Sequence, residues 1–298
     1  MMNNSLIQLH SFSLPKFPSS SSTSGFSSNY NINNRRRRCR FTRFAVSASS
    51  VPLLDLPLLP FPKEQILVPS EYKKLHLYEA RYLALLEESL YKNNSLFVHF
   101  VLHPIAVNET FTEASFAARY ACLVSIEKVE RLDVGALVFI RGIGRVKLVE
   151  FGQEQPFLRG LVMPSKDYVL LDNSELDSKV SELKEALHNL NSLEIKLKAP
   201  EEASLQTQTS NALKWAEKTV AVDCDEAFIP SLAERISYSA LQPVSGSLQS
   251  ELSTLQKEKL RAMDIKDTTE RIGNSLKYVK NNISIVAAKL ALQSLKIQ

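Results

Sequence analysis

The spacing of apolar residues changes once along this chain, near residue 170, and that change limits the folds open to it. Before it, apolar and β-branched runs alternate with glycines, at residues 96–102, 120–132, 137–151 and 157–163. After it, apolar residues recur every three or four positions, as at Leu183, Leu187 and Leu190. Runs of the first kind predict strands, and the second spacing predicts amphipathic helices. We therefore expect an α+β protein in which a sheet is followed by helices.

The first region, residues 51–170, is predicted to be a mainly antiparallel sheet with one helix over residues 79–91. Most connections between its apolar runs are too short for the crossover helix that parallel neighbours require. Glycines inside the run at 137–151 predict a bulge or bend, as in a small sheet that curls into a barrel. Prolines between residues 51 and 62 restrict any strand there to an edge or a short piece. Residues 66–68 are a further short strand candidate.

The second region, residues 171–298, is predicted to be a helical bundle. Its first helix begins at Ser174, a favoured N-cap residue, and ends before Pro200. Further helices are predicted near residues 201–222, 227–240 and 248–263, and after Asp267. We interpret the apolar stripes of these helices as helix–helix core rather than as a cofactor site.

Residues 1–50 differ from both regions and are predicted to be a disordered transit peptide. They contain 13 Ser, six Arg, one Lys and no acidic residue, a formal charge of +7. A serine-rich, arginine-bearing and acid-free segment is typical of organellar transit peptides. Val46-Ser47-Ala48 before Ser49 resembles a stromal processing site, so the chloroplast is favoured over the mitochondrion. The competing interpretation is a disordered basic arm that binds RNA.

Without this leader the chain is slightly acidic, since its other 248 residues carry 29 basic and 32 acidic groups. A net charge of −3 disfavours general nucleic-acid binding, because phosphate neutralisation needs clustered Lys and Arg. Cys122 and Cys224 are far apart and form no CxxC pair. This fits a reducing compartment and argues against a structural zinc site. No apolar run reaches the roughly 20 residues that span a bilayer.

Two runs of the first region are distinctive: LPLLPFP at residues 56–62 and LHLYEARY at residues 75–82. They resemble the first strand, and the turn into the helix, of the N-terminal, substrate-binding domain family of Lon protease. VFIRGIGRVKL at residues 138–148 resembles a later strand, and residues 255–272 resemble an element of the family's helical part. The resemblance covers about residues 53–295. It implies a small PUA-like, mainly antiparallel β-barrel with one helix, followed by a C-terminal helical bundle.

The residues that carry these motifs are expected to be architectural: Pro57, Pro60, Glu79, Arg81, Tyr82, Gly142 and Arg145. The prolines fix the backbone and block continued edge pairing. Glu79 and Arg81 are expected to clamp the start of the helix to a strand, and Tyr82 to bury its ring. Gly142 and Arg145 predict a bulge with an outward-pointing cation, either free or paired with an acidic residue.

Full-length Lon joins this domain to an ATPase and a Ser–Lys protease, but the sequence shows no motif of either activity. It contains neither GxxxxGK followed by Ser or Thr nor GxSxG. His99 and His103 lie on a predicted strand, where four residues separate two side chains by roughly 13 Å, so we expect a core or edge role rather than a metal site. We therefore predict no catalytic, cofactor-binding or metal-binding residues and no enzyme activity. An ATP-independent hydrolase without a recognised motif is a third hypothesis.

The leading hypothesis is a stand-alone plant chloroplast Lon-domain protein that binds proteins or peptides. It would recruit protein clients to a separate protease or chaperone, or act as a scaffold, in chloroplast protein quality control. The expected site is an apolar groove that includes Leu58, Phe61, Ile66 and Tyr72, although each of these residues also fits ordinary barrel core.

The alternative hypothesis is a PUA-like RNA-binding protein. Its candidate cations are Arg119, Arg131, Arg141, Arg145, Lys147 and Arg159, partly interleaved with phenylalanines. The acidic body and the absence of a dense basic cluster in the sequence count against it.

Overall fold

The computed structural model describes residues 7–8, 51–104, 116–168, 174–197, 206–220 and 222–296. The strands in this part of the chain are β1 (Ile7–Gln8), β2 (Leu54–Phe61), β3 (Tyr72–Leu77), β4 (Leu96–Pro104), β5 (Phe116–Arg131), β6 (Ala136–Gln153) and β7 (Leu158–Pro164). The helices are α1 (Ala80–Lys92), α2 (Ser174–Leu197), α3 (Gln208–Glu217), α4 (Leu232–Ser239), α5 (Gln249–Asp264) and α6 (Thr268–Lys296). Short 3-10 turns lie at Lys63–Gln65 and Glu226–Phe228.

Strands β2 to β7 form one mostly antiparallel sheet, which confirms the predicted α+β class. The pairing order β6-β5-β4-β2-β7 closes on itself because β7 also pairs with β6. Strand β6 uses its first part, residues 136–141, for β3 and its last part, residues 146–153, for β7. The sheet therefore divides along β6, with β3 outside the ring, and is not a clean barrel. Strand β1 adds a two-residue parallel contact to β3, at Leu75 and His76.

The prediction that prolines confine the first strand to an edge or a short piece is wrong, because β2 is eight residues long and lies between β7 and β4. Its first half, Leu54–Leu58, pairs with β7, and its second half, Leu58–Phe61, pairs with β4. Each half is thus hydrogen-bonded on one side only. Proline has no N–H to donate to a ladder, but this costs nothing on a side where the strand is unpaired. Pro57 and Pro60 can therefore lie within a strand in the middle of the sheet.

Two further local expectations near β2 need correction. Residues 66–68 form no strand, although Ile66, Leu67 and Val68 are all buried. Their apolar character reflects burial against the sheet and helices rather than ladder pairing. Strand β3 was not predicted, because its two lysines interrupt the alternation of apolar and polar residues.

The glycines of β6 permit the predicted bulge. Leu123 pairs with Gly144 and Val124 pairs with Gly142, so Ile143 is the extra residue on β6. Gly142 also exchanges backbone hydrogen bonds with the segment before β3, donating to Glu71 and accepting from Ser70, each at 2.9 Å. A Cβ at Gly142 would lie 2.3 Å from the carbonyl oxygen of Val68. Only glycine allows this close approach.

The predicted helices are present, and some are shorter than predicted because capping residues determine where they begin. Helix α3 begins at Gln208 because the Thr207 hydroxyl accepts the N–H of Ser210. The helix predicted over 227–240 is divided at Pro230 into a 3-10 turn and α4, and Ser231 caps α4. Asp267 accepts the N–H groups of Thr269 and Glu270 at the start of α6. The predicted end of the first helix, at Pro200, lies outside the described residues.

The helices pack both on one another and on the sheet. Helices α2 and α6 share an apolar core through Leu183, Leu187, Ile272 and Val279, as their stripes predicted. A second apolar cluster joins the sheet to α4 and α5, and its members include Ile66, Val68, Tyr120, Tyr238 and Leu255. This shared core places α5 opposite the segment that leads into β3.

We predict that Gly142→Ala destabilises the protein and that Gly152→Ala, on the same strand, does not. The added methyl at Gly142 would collide with backbone, whereas nothing lies within 4 Å of a Cβ at Gly152. Urea unfolding followed by circular dichroism should show a loss of about 1–3 kcal/mol for the first variant and less than about 0.5 kcal/mol for the second. Equal losses would contradict this account of the β6 bulge.

Candidate functional site

The residues expected to line an apolar groove lie in different environments. Leu58, Phe61 and Ile66 are at most 2% exposed and belong to the core. They do not form an accessible groove, because β2 packs on both faces and residues 66–68 lie under α5. Tyr72, the fourth candidate, is half-buried at the start of β3 and lines an open cleft.

The motif residues at the start of α1 form a local cluster. Glu79 and Arg81 make an ion pair at 2.7 Å, and the Arg81 guanidinium lies 4.7 Å from the centre of the Tyr82 ring. Tyr82 itself is buried in the sheet core, as expected. These contacts stabilise the first turn of α1.

Arg145 does not point outward as predicted, because it is buried in a quartet of charged side chains. The quartet consists of Arg145, Asp167, Glu234 and Arg271, from β6, the segment after β7, α4 and α6. Both arginines donate to Asp167, and Arg145 also reaches Glu234 at 3.1 Å. Arg271 lies fully buried over the Tyr238 ring, 4.4 Å from its centre. Two positive and two negative groups thus compensate one another away from water.

Burial and neighbouring charge act in opposite directions on the two carboxyl groups of the quartet. Burial alone would raise the pKa of Asp167, but its hydrogen bond with Arg271 and the charges of both arginines hold that pKa below its usual range. Burial, followed by the nearby Asp167 charge, raises the pKa of Glu234. We interpret the quartet as structural, because each of its charged groups is compensated by another group of the quartet.

A cleft that includes Tyr72 lies between the segment 63–74 and α5. Its volume is about 770 Å³, within the size range of ligand sites. The ionisable side chains that line it, apart from tyrosine, are Lys63, Lys73, Lys74, Lys257, Lys259, Glu64 and Glu71. Lysines therefore outnumber carboxylates along its walls.

One lysine and one glutamate of the cleft neutralise each other. Lys259 on α5 contacts Glu71 at 2.7 Å, and both side chains are buried. The second carboxylate oxygen of Glu71 accepts the N–H of Val68 at 3.1 Å. This pair joins α5 to the segment before β3 and so fixes the two walls of the cleft.

Lys73 is held inside the cleft by a neutral partner. Its Nζ donates to the carbonyl oxygen of Gln65 at 2.9 Å and lies 6.0 Å from the centre of the Phe61 ring. Burial lowers the pKa of Lys73 to about 8, which the Glu71 charge offsets only in part. An arriving carboxylate would favour the charged form of this amine.

Two aromatic rings, those of Tyr72 and Phe139, also line the cleft. The Tyr72 and Phe139 rings stack with centres 6.2 Å apart, and Lys74 Nζ lies 5.3 Å from the centre of Phe139. Arg141 lies over the other ring, 4.9 Å from the centre of Tyr72, and is anchored by Glu127 and Asn211. This wall offers apolar surface next to cations.

Most cations of the RNA-binding alternative are already engaged. Arg141 and Arg145 are buried and paired, and Arg159 contacts both Asp55 and Glu88. Arg131 lies 3.7 Å from Glu87, and Lys147 is exposed. The side chain of Arg119 is not among those that the structure describes. Guanidinium groups held by carboxylates are poorly placed to neutralise phosphates.

Three of the residues considered for nucleophilic or metal chemistry lie in unreactive environments, and the side chain of the fourth, His103, is not among those that the structure describes. His99 is buried against the Phe61 ring, with centres 4.1 Å apart, and burial holds its pKa well below the usual range. Burial raises the pKa of the Cys122 and Cys224 thiols, which disfavours the reactive thiolate.

The described residues offer neither a metal-ion cluster nor a membrane-spanning helix. No group of three or more His, Cys, Asp or Glu side chains in that part of the chain is arranged to hold a metal ion. No helix there is long and apolar enough to cross a membrane.

Sequence reasoning missed the lysines of the cleft. Lys73 and Lys259 belong to two short charged runs that the fold brings together from 71–74 and 256–259. The sequence held one signal that Lys73 is unusual: in β3 it shares a face with the buried Leu75 and Leu77. A lysine on an apolar face is a candidate for a specific contact.

Comparison with known protein families found a match to one family, the ATP-dependent protease La (LON) substrate-binding domain, over residues 55–281. A similar solved structure is the N-terminal domain of Mycobacterium avium complex Lon protease, 11% identical with a TM-score of 0.43, covering 76% of this chain and 98% of that chain. Another is the Lon N-terminal domain protein from Xanthomonas campestris, which is 18% identical with a TM-score of 0.39. The match covers 74% of this chain and 96% of that chain. No curated protein matches the chain.

We predict that Arg271→Met destabilises the protein strongly and that Lys280→Met, on the same helix, does not. Removing Arg271 leaves the buried Asp167 carboxylate short of one cation, which costs about 3–5 kcal/mol. Lys280 pairs with Glu182 in an exposed position, where such a pair contributes at most about 1 kcal/mol. Urea unfolding of both variants checks the difference, and a small loss for Arg271→Met would show that the quartet is not needed for stability.

Proposed function

This chain belongs to the ATP-dependent protease La (LON) substrate-binding domain family, and from this membership we propose that it is a protein-binding module without catalytic activity of its own. The observation that carries the proposal is the extent of the family match, which includes the sheet and the helical elements up to residue 281. Both walls of the lysine-lined cleft lie within that range. A cleft of this kind between a sheet and a helix suits a polypeptide segment.

The activity we propose is recruitment of protein clients to a separate protease or chaperone, as part of chloroplast protein quality control. Two features of the sequence support this proposal. The 298 residues contain no phosphate-binding or GxSxG motif, so binding rather than turnover is the activity proposed. The leader has the composition of an organellar transit peptide.

We predict that the full-length protein binds an unfolded polypeptide in preference to its folded form. The probe is reduced α-lactalbumin with its cysteines blocked by iodoacetamide, and native α-lactalbumin is the control. Tyr72→Ser should weaken binding about tenfold, as expected for an aromatic anchor, whereas Tyr91→Ser, at an 80% exposed tyrosine on α1 outside the cleft, should leave it unchanged. Isothermal titration calorimetry measures both effects, after circular dichroism has shown that each variant is folded.

If Tyr72→Ser fails to fold, Lys74→Ala on the same wall takes its place. No binding of either form of α-lactalbumin to the unmodified protein would contradict the proposed function. Equal weakening by the variants in the cleft and by Tyr91→Ser would contradict this location of the site.

We also predict that the mature protein begins near Ser49, after cleavage of the leader. The measurement is N-terminal sequencing of the protein recovered from isolated plastids. Recovery of a chain that begins at Met1 would contradict the localisation and would favour the interpretation of residues 35–40 as a basic arm.

A further inference from the structure

The cleft follows an open edge of the sheet. Three consecutive residues of β3, Tyr72, Lys73 and Lys74, line it. Because successive side chains of a strand point to opposite faces, a cavity that touches consecutive positions runs along the strand edge rather than over one face. On one side β3 pairs with β6 along its whole length, and on the other side the described residues pair with it only at Leu75 and His76. Among the described residues, the first half of β3 thus has no strand partner on that side, and an unpaired strand edge is where a further strand can add.

The charge of the cleft is opposite to that of the rest of the body. Once Lys259 is paired with Glu71, the lysines that remain are Lys63, Lys73, Lys74 and Lys257, against the single carboxylate of Glu64. Residues 51–298 together have a net charge of −3, so this surplus is local. Gln208 and Gln249, the first residues of α3 and α5, also line the cleft. The positive ends of two helix dipoles thus add to the field of the lysines.

Two amide side chains in the cleft have hydrogen-bonding capacity that the protein does not use. The Oε1 atoms of Gln65 and Gln256 are shielded from solvent and accept no hydrogen bond. Both residues line the cleft, one on the segment before β3 and one on α5. A buried acceptor without a donor costs free energy, so the two walls of the cleft carry polar groups that the protein's own contacts leave unsatisfied.

We propose that this cleft binds an extended, acidic segment of another protein as an added strand on the open edge of β3. The proposal rests on the proposed function and narrows it to a ligand chemistry and a position. Backbone pairing with β3 supplies affinity that does not depend on sequence. Carboxylates of the segment face Lys63, Lys74 and Lys257, which line the cleft. The lysines of the cleft therefore set the preference for acidic segments.

The test uses the full chain and a fluorescein-labelled decapeptide of alternating glutamate and valine, followed by fluorescence anisotropy at physiological ionic strength. Two matched peptides separate charge from strand pairing. In one, lysine replaces every glutamate, and in the other, every backbone nitrogen of the acidic peptide is methylated, so that neither of its edges can donate to a ladder. We expect the acidic peptide to bind and both matched peptides to bind at least tenfold more weakly.

Two charge reversals at exposed helical lysines locate the site. Lys257→Glu lies on the cleft wall of α5, and Lys277→Glu lies on α6 outside the cleft. Reversing a charge replaces an attraction with a repulsion of similar size, so Lys257→Glu should weaken the acidic peptide about tenfold. Lys277→Glu makes the same change in net charge and should leave the affinity within about twofold.

Three outcomes would overturn the inference even if the acidic peptide binds. They are equal binding of the methylated peptide, equal weakening by the two lysine reversals, and tighter binding of an oligonucleotide that Lys257→Glu abolishes. If unfolded α-lactalbumin binds the protein but the acidic peptide does not, this inference fails and the proposed function stands. If neither probe binds, both fail.

Discussion

The buried quartet of Arg145, Asp167, Glu234 and Arg271 is the interaction on which the arrangement of the other elements depends. It is where the sheet, the segment after β7, α4 and α6 meet. Arg145 also donates to the carbonyl oxygens of Met263 and Ile265, at 3.2 and 2.8 Å, and so holds the C-terminal end of α5. Since a buried charge is tolerated only with its partners in place, the quartet fixes the position of the helices on the sheet. Through the hydrogen bonds of Arg145, it also fixes α5, which forms one wall of the cleft.

The cleft is therefore preformed rather than assembled by a ligand. The buried Glu71–Lys259 pair fixes the middle of α5 to the segment before β3, while the bulge at Ile143 brings that segment against Gly142. The apolar cluster that includes Ile66, Val68 and Leu255 packs beneath the same region. A site whose walls are already fixed loses less conformational entropy on binding. The structure thus favours a binding mode in which the segment changes conformation and the cleft does not.

The sequence predicted what local patterns determine and missed what distant contacts determine. The periodicity of α1, α2 and α6 and the apolar runs of β4 to β7 located those elements, since each pattern lies within one element. Arg145 was expected to point outward because its partners Asp167, Glu234 and Arg271 follow 22, 89 and 126 residues later. Lys73 was overlooked for the same reason, since the opposite wall of its cleft is on α5. The resemblance to a family predicted the fold but identified residues of the core rather than of the cleft.

The lysines beside β3 have a second physical role that bears on selectivity. An open strand edge is a hazard because it pairs with any extended chain, and lysine on or near the edge is a common protection against such pairing. Lys63 and Lys257 belong to other elements, yet both face this edge. A neutral strand that approached this edge would bring no charge to balance the lysines, and a basic strand would be repelled by them. An acidic strand would neutralise them, so the same side chains that protect the edge from indiscriminate pairing would select acidic segments.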